Sequence, residues 1–473
     1  MHQDDSDIVG DWAEQEFGRS ALGDARLNAR LTGLARQLAQ HPAGSLPQAL
    51  REPSALKAAY RFFDHSDITA QGILASHVDS TYARIQQSPR VLIVQDTTYF
   101  DYGAHPKTMG MGPLQAQGGH GMLMHGVLAI TPEHVPLGVL SARMWARSLK
   151  PPRQRTHNGD HPIEDKESVK WLDGVGAAQT ARLLCPDTEV VMVADREADI
   201  YEVFARCADA GIGFVVRVFR KRRIDGPVPM DLDTRLQDEP VWAQQNIAVP
   251  QKGKQSARVA QVQIKALEIE LMPPTPRKAH LAQSALTPLW AVEVSEIAPP
   301  KGVAPLRWLL LTNVPVVDVA GAQERVEWYR ARWGIEIWHR VLKSGCRVEE
   351  RQLQNRQRLE RMIALYAVIA WRVMYATLLA RTTPEMECTV LLEQAEWRAL
   401  YCRIHSTPVP CANAPPLREA VRWIAKLGGF IGRKSDGEPG AMTMWRGFQV
   451  LYSITDMYKI FNPDPAATPI NDG

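Results

Sequence analysis

At 473 residues the chain exceeds what one hydrophobic core organises and predicts about two to four domains of roughly 100 to 200 residues. Hydrophobic residues at 45% and charged residues at 23% exclude a disordered or fibrous chain, while 55 Lys and Arg against 52 Asp and Glu leave a net charge of +3, too small to argue for nucleic acid by itself. Six cysteines (Cys185, Cys207, Cys346, Cys388, Cys402 and Cys411) form no C-x-x-C pair, which disfavours a zinc cluster or disulfide framework and fits a reducing cytoplasm.

The acidic stretch Met1 to Asp7 leads into no apolar signal core, so a cytoplasmic location is expected. From residue 8 to about 70, Leu27, Leu31, Leu34 and Leu38 recur at helical spacing with Arg26, Arg30 and Arg36 between them. A further helix, Ser54 to Phe63, carries Lys57 and Arg61. At Val91 the pattern changes to a β-branched, apolar run typical of a buried strand, and Asp96 follows almost at once. Met122 to Ile130 and Val135 to Met144 read as a strand pair around the turn Thr131-Pro132-Glu133.

Lys166 to Leu184 reads as a helix, and Val190 to Ala194 as a second buried strand ending at Asp195. A helix closing near Gly211 and a strand from Phe214 to Val218 complete an alternating α/β pattern. Between about residues 224 and 318 helical period disappears and alternation takes over, as in Val259 to Leu267, predicting a β-rich insertion. Gln323 to Leu359 reads as one long helix with its continuation, and the chain beyond Glu360 as mostly helical with a break at Pro408 to Pro416. The apolar stretch Met362 to Leu379 is interrupted by Arg372 and reads as a buried or dimerising helix rather than a membrane span.

On an ideal helix at about 100° per residue, Tyr329, Arg332, Glu336 and Lys343 fall within roughly a 60° arc. Trp328, Ala331, Ile335, Trp338 and Leu342 form a separate apolar stripe. Alone, such a face would read as solvated salt bridges. Asp96 and Asp195, each at or just beyond the end of a buried strand, change that reading, because open α/β sheets keep functional groups at that edge. Three carboxylates suit two hard divalent cations such as Mg²⁺, one activating an attacking oxygen and the other stabilising the leaving oxygen at phosphorus. Histidine or cysteine donors would suit zinc instead.

These residues carry a resemblance. The spacing of Tyr329, Arg332, Glu336 and Lys343 within YRARWGIEIWHRVLK resembles the YREK signature of the insertion-sequence-four family of bacterial DDE transposases, the group of the Tn-five transposase. VQDTT (94 to 98) and VADREAD (193 to 199) resemble that family's first and second Asp motifs, and the similarity runs from DWAEQEF (11 to 17) to LGGFIGRK near 427. It implies an α/β, ribonuclease-H-like core interrupted by a β insertion before the catalytic Glu. Expected regions are a helical end-recognition domain at 1–72, a catalytic domain at 73–365 with the insertion at about 224–318, and a helical dimerisation region at 366–473.

By the same resemblance Asp96, Asp195 and Glu336 are catalytic metal ligands, while Tyr329, Arg332 and Lys343 contact phosphates near the cleaved end. Gly334 departs from it, since the Tn-five type has a basic residue there. Two Mg²⁺ ions, with Mn²⁺ as substitute, are the expected cofactors, and no nucleotide is required. Double-stranded DNA, both transposon ends and target, and a second copy in a synaptic homodimer are the expected partners, with no membrane. The implied reaction is cut-and-paste transposition through a hairpin intermediate.

The basic run after residue 216 (Arg217, Arg220, Lys221, Arg222 and Arg223) is expected to track phosphates. Trp308 reads by periodicity as a core residue, whereas the resemblance has the matching Trp stack a flipped base. Arg26, Arg30, Lys57 and Arg61 are candidate contacts for end recognition or ordinary surface charges. Another nuclease on the same core, such as a Holliday-junction resolvase, and a catalytically silent inhibitory relative are the alternatives. The YREK helix argues against the first, and the intact triad against the second.

Overall fold

In the computed structural model, residues 11–463 are described apart from 116–117, 149–162, 226–229, 250–255, 273–285, 287 and 434–435; the acidic Met1 to Asp7 stretch and Lys434 lie outside the described residues. Five helices come first: α1 (Trp12–Phe17), α2 (Ala25–Gln40), α3 (Leu46–Ala49), α4 (Pro53–Asp64) and α5 (Ala70–Ile85). Their starts follow local chemistry, since Asp11, Asp24 and Thr69 each accept a hydrogen bond from a first-turn N–H that would otherwise lack a partner.

The catalytic-type motifs then lie on one sheet. Strands β1 (Arg90–Asp101), β2 (Gly121–Ile130) and β3 (Pro136–Trp145) form an antiparallel meander. Helix α6 (Trp171–Leu184) crosses to β4 (Glu189–Ala194), and α7 (Tyr201–Asp209) crosses to β5 (Gly213–Arg217); β4 pairs parallel with both β1 and β5. The order β3-β2-β1-β4-β5, with two crossover helices, is the ribonuclease-H-like arrangement that the sequence implied. Fully buried runs such as Val190 to Ala194 are what strands covered on both faces require.

The expected insertion is β-rich but not free of helix. Short strands β6 (Arg223–Ile224) and β7 (Met230–Asp231) pair with each other, and α8 (Leu232–Gln237) follows, burying Leu232 and Leu236 at helical spacing. Strands β8 (Ala243–Val249), β9 (Arg258–Ile269), β10 (Leu289–Glu296) and β11 (Arg307–Thr312) continue the main sheet through an antiparallel β11–β5 pair, making nine strands among the described residues.

The single long helix expected from Gln323 to Leu359 is broken. Helix α9 (Val319–Ala331) ends at Arg332, α10 (Trp333–Arg340) follows, a π-helical turn spans Val341–Gly345, and the next long helix, α11 (Arg356–Thr382), starts afresh with Asn355 as its cap. Periodicity missed the first two breaks because both lie inside one continuing apolar stripe, packed at Ile335, Trp338, Val341 and Leu342. Helices α12 (Gln394–His405), α13 (Leu417–Leu427) and α14 (Ala441–Phe461) complete the chain. Although α11 is long and apolar enough to cross a membrane, most of its side chains are buried in this fold. It packs on α4, α5, β3, α13 and α14, so one continuous apolar cluster joins the first helices, one sheet face and the last helices.

Candidate active site

Parallel pairing of β1 with β4 runs as far as Gln95 opposite Ala194, and the next residue on each strand is Asp96 and Asp195. The two carboxylates are therefore neighbours where the strands part. Asp195 ends its strand as expected and its Oδ1 accepts the Glu197 N–H at 2.9 Å. Asp96 does not end its strand, because β1 continues to Asp101 on its antiparallel pairing with β2. What ends at Asp96 is the parallel partner, so the carboxyl-edge reasoning holds for the β1–β4 pair rather than for the strand.

Helix α10 brings the third carboxylate. Asp96 pairs with Gly126, where a Cβ would come within 2.4 Å of Trp338, so a side chain at 126 would push α10 off the sheet. At Gly334 a Cβ would come within 2.7 Å of the Ile130 Cδ1. The departure from the family's basic residue thus coincides with a close approach of α10 to β2.

Arg332, buried at the junction of α9 and α10, donates to Asp96 Oδ2 at 3.1 Å and to Glu336 Oε1. Burial pushes the Asp96 carboxyl up to about 6, and the nearby charges of Asp195 and Glu336 add to this against the pull of Arg332. The Arg332 guanidinium is raised despite burial, because Tyr329, Asp96 and Glu336 all favour its charge. Among the described residues no group of three or more His, Cys, Asp or Glu side chains stands as a preformed metal cage. The donor set nevertheless fits a hard divalent cation: all three acids offer oxygen, and Asp96 is crowded by like charge that a cation would relieve.

Tyr329 is buried, and its phenol is raised by burial while the Arg217 guanidinium lies against it. Trp308 meets the Tyr329 ring edge-on at 5.2 Å. Trp308 is 8% exposed, as a core residue would be, and it also walls a cleft of about 580 Å³ with Arg217, Tyr329, Arg332 and Trp333. Lys343 sits in the π-helical turn, donates to the Tyr99 carbonyl at 2.7 Å and pairs with Glu349 at 3.4 Å. It is thus tied to the far end of β1, on a turn whose winding departs from the ideal helix used to place it.

The basic run divides. Arg217 faces Tyr329 and donates to the Arg307 carbonyl at 3.0 Å, and Arg220 and Lys221 are exposed. Arg222 is not available for phosphate: both its Nε and a terminal nitrogen are spent on buried Asp199. Burying that carboxylate requires a partner, and Arg222 is the one in reach. Arg26, Arg30, Lys57 and Arg61 are all exposed, on α2 and α4, with Arg26 paired to Asp24 at 3.0 Å.

Sequence reasoning passed over a buried network behind the acids. Thr97, whose N–H donates to Asp96 Oδ1 at 2.7 Å, shares a hydrogen bond with His125 Nδ1, and His125 Nε2 meets Gln95 Oε1 at 3.0 Å. With the Gln oxygen accepting, His125 carries a proton on Nε2, and burial drives its pKa well down, which favours the neutral ring. The signal was available: one histidine inside the otherwise apolar GMLMHGVLAI must find a partner. His134 lines the cleft.

Three family models match the chain. Residues 9–68 match "Transposase DNA-binding", 173–372 match "Transposase DDE domain", and 368–459 match "Transposase Tn5 dimerisation domain".

Proposed function

Because the chain belongs to the Tn5-type DDE transposases, and is thereby a divalent-metal-dependent nuclease and strand transferase that binds DNA and dimerises, we propose that Asp96, Asp195 and Glu336 form its catalytic site for cut-and-paste transposition. The observation that carries this reading is the bridge from Arg332 to Asp96 and Glu336, beside Asp195 on the adjacent strand. Two Mg²⁺ ions bound by these acids would supply activation of the attacking oxygen and stabilisation of the leaving oxygen. Arg332 holds Asp96 and Glu336 together across the strand–helix junction, and it turns its planar fork to phosphate when the acids take up cations. Tyr329 and Arg217 line the cleft for the DNA end, Trp308 offers a stacking face there, and Lys343 adds positive charge beside the end of β1.

In this reading water attacks the phosphorus at the element border and expels a 3′ hydroxyl. That hydroxyl attacks the opposite strand, closing a hairpin on the element and releasing flanking DNA; a second water reopens the hairpin before attack on target DNA. Residues 1–72 read the ends, 73–365 perform the chemistry and 366–473 join two copies into a synaptic complex. The test incubates the protein and Mg²⁺ with a plasmid carrying its native element. Excised, hairpin-ended DNA that disappears in Asp96→Ala, with end binding retained, supports the reading. Excision that persists in Asp96→Ala overturns the site assignment.

A further inference from the structure

The loop after β5 carries a feature that neither the acid site nor the cleft uses. Phe219 is 68% exposed, and the Arg196 guanidinium lies 5.4 Å from its ring centroid. Single exposed apolar side chains are ordinary, so the ring alone says little. Its mounting says more. Asp199, 1% exposed and four residues past Asp195, accepts the Phe219 N–H at 2.9 Å and the Arg220 N–H at 2.8 Å through Oδ2. Its Oδ1 takes Arg222 Nε at 3.0 Å, and its main-chain oxygen takes an Arg222 terminal nitrogen at 2.9 Å. The second Asp motif therefore supplies both an active-site acid and the anchor of this loop.

We propose that Phe219 is a base-stacking residue, held by Asp199 on a fixed loop beside the active site, and that its ligand is an unpaired or unstacked base of the DNA bound there. This rests on the reading of the chain as a transposase acting at Asp96, Asp195 and Glu336. The surroundings select nucleic acid over another apolar partner. Arg220 and Lys221 follow the ring in the chain and make no ion pair among the described residues, and a hollow of about 270 Å³ beside it is lined by Arg217, Arg220 and Lys221 together with an Arg307–Asp233 pair at 2.6 Å. A π-face among cations suits a chain that alternates flat bases with phosphates. Asp199 acts here as a positioning residue, not a catalytic one.

The test measures binding of the full chain, without divalent metal, to a duplex copied from the border of its element, with single abasic positions introduced in turn. Wild-type protein should lose affinity about tenfold at one position, the scale of a single lost base stack. Phe219→Ala should show that loss on intact DNA and no further loss at that position, while Phe219→Trp restores the wild-type pattern. Asp199→Asn, checked for folding by its melting temperature, should also lose the position dependence, and adding Phe219→Trp should not rescue it. Intact-DNA affinity unchanged in Phe219→Ala, or a full set of wild-type abasic penalties that persists in that variant with none lost, overturns the stacking role. Wild-type protein that fails to distinguish border DNA from unrelated duplex overturns the functional reading itself, and this proposal with it.

Discussion

Glu16 and Asp96 are both carboxylates beside an arginine, yet Glu16 is held at about 2 and Asp96 is pushed to about 6. Burial raises both. At Glu16 it is overcome, since His77 Nδ1 lies 2.5 Å from one oxygen and Arg84 engages both. His77 Nε2 accepts the Val139 N–H, so the ring is neutral and donates its Nδ1 proton to Glu16, leaving Arg84 as the compensating charge. This network ties α1 and α5 to β3 and has every partner it needs. At Asp96 the arginine is shared with Glu336 and a third carboxylate stands alongside. A raised acid in an arginine-poor cluster marks a place for cations, and a lowered acid in a closed network marks a structural joint.

The contrast is broken most severely by charge removal at the acid site. Asp96→Asn should cut Mg²⁺-dependent cleavage about 10³-fold, the scale of losing one preorganised electrostatic element. In chelator it should melt no lower than wild type, because one of three crowded charges is gone. A large fall in its metal-free melting temperature would mean that Asp96 is a structural joint after all.

At the other cluster the outcome reverses. Glu16→Ala leaves Arg84 without its buried partner and should cost about 3–5 kcal/mol in denaturant titration. Cleavage per folded molecule should stay at the wild-type level. Lost turnover with unchanged stability would break the comparison from this side.

Cation binding sharpens the difference. At Mg²⁺ a hundredfold above its dissociation constant, wild-type protein should gain about 2.7 kcal/mol for each ion bound, Glu16→Ala should gain the same, and Asp96→Asn should gain far less. Equal gains in all three would place the bound ion elsewhere.

How far the sequence carried each cluster explains the uneven foresight. Val91 to Val94 and Val190 to Ala194 announce buried strands by their own composition, and Asp96 and Asp195 follow at fixed short offsets. Partners fixed by tertiary contact leave no such mark. Glu16 and His77 lie 61 residues apart, and Arg222 meets Asp199 across 23. Strand β8 hid because AQQNIAV buries only Ile247 fully, and the turn at Arg332 hid because its neighbours on both sides belong to one apolar stripe. Element type was legible where burial is uniform, and side-chain role was not legible where the partner is distant.

The smallest effect separates the clusters by pH. Both His77, through burial, and Glu16, through His77 and Arg84, have folded-state pKa values below the ordinary ones. Such groups contribute stability that is complete above the unfolded pKa and is lost as pH falls, because the unfolded chain takes up the proton first. His77 should therefore begin to cost stability below about pH 6.5, and Glu16 below about 4.5 and on toward 2. Burial lowers His125 and His339 in the same direction, so the slope of the whole protein is shared. Only the difference between wild type and His77→Gln isolates the joint. Denaturation midpoints recorded from pH 8 to 5 in chelator should converge as pH falls, since the variant has no imidazole to protonate. Midpoints that run parallel across that range would show that His77 keeps its proton balance on unfolding, and would remove the neutral, closed network from the comparison.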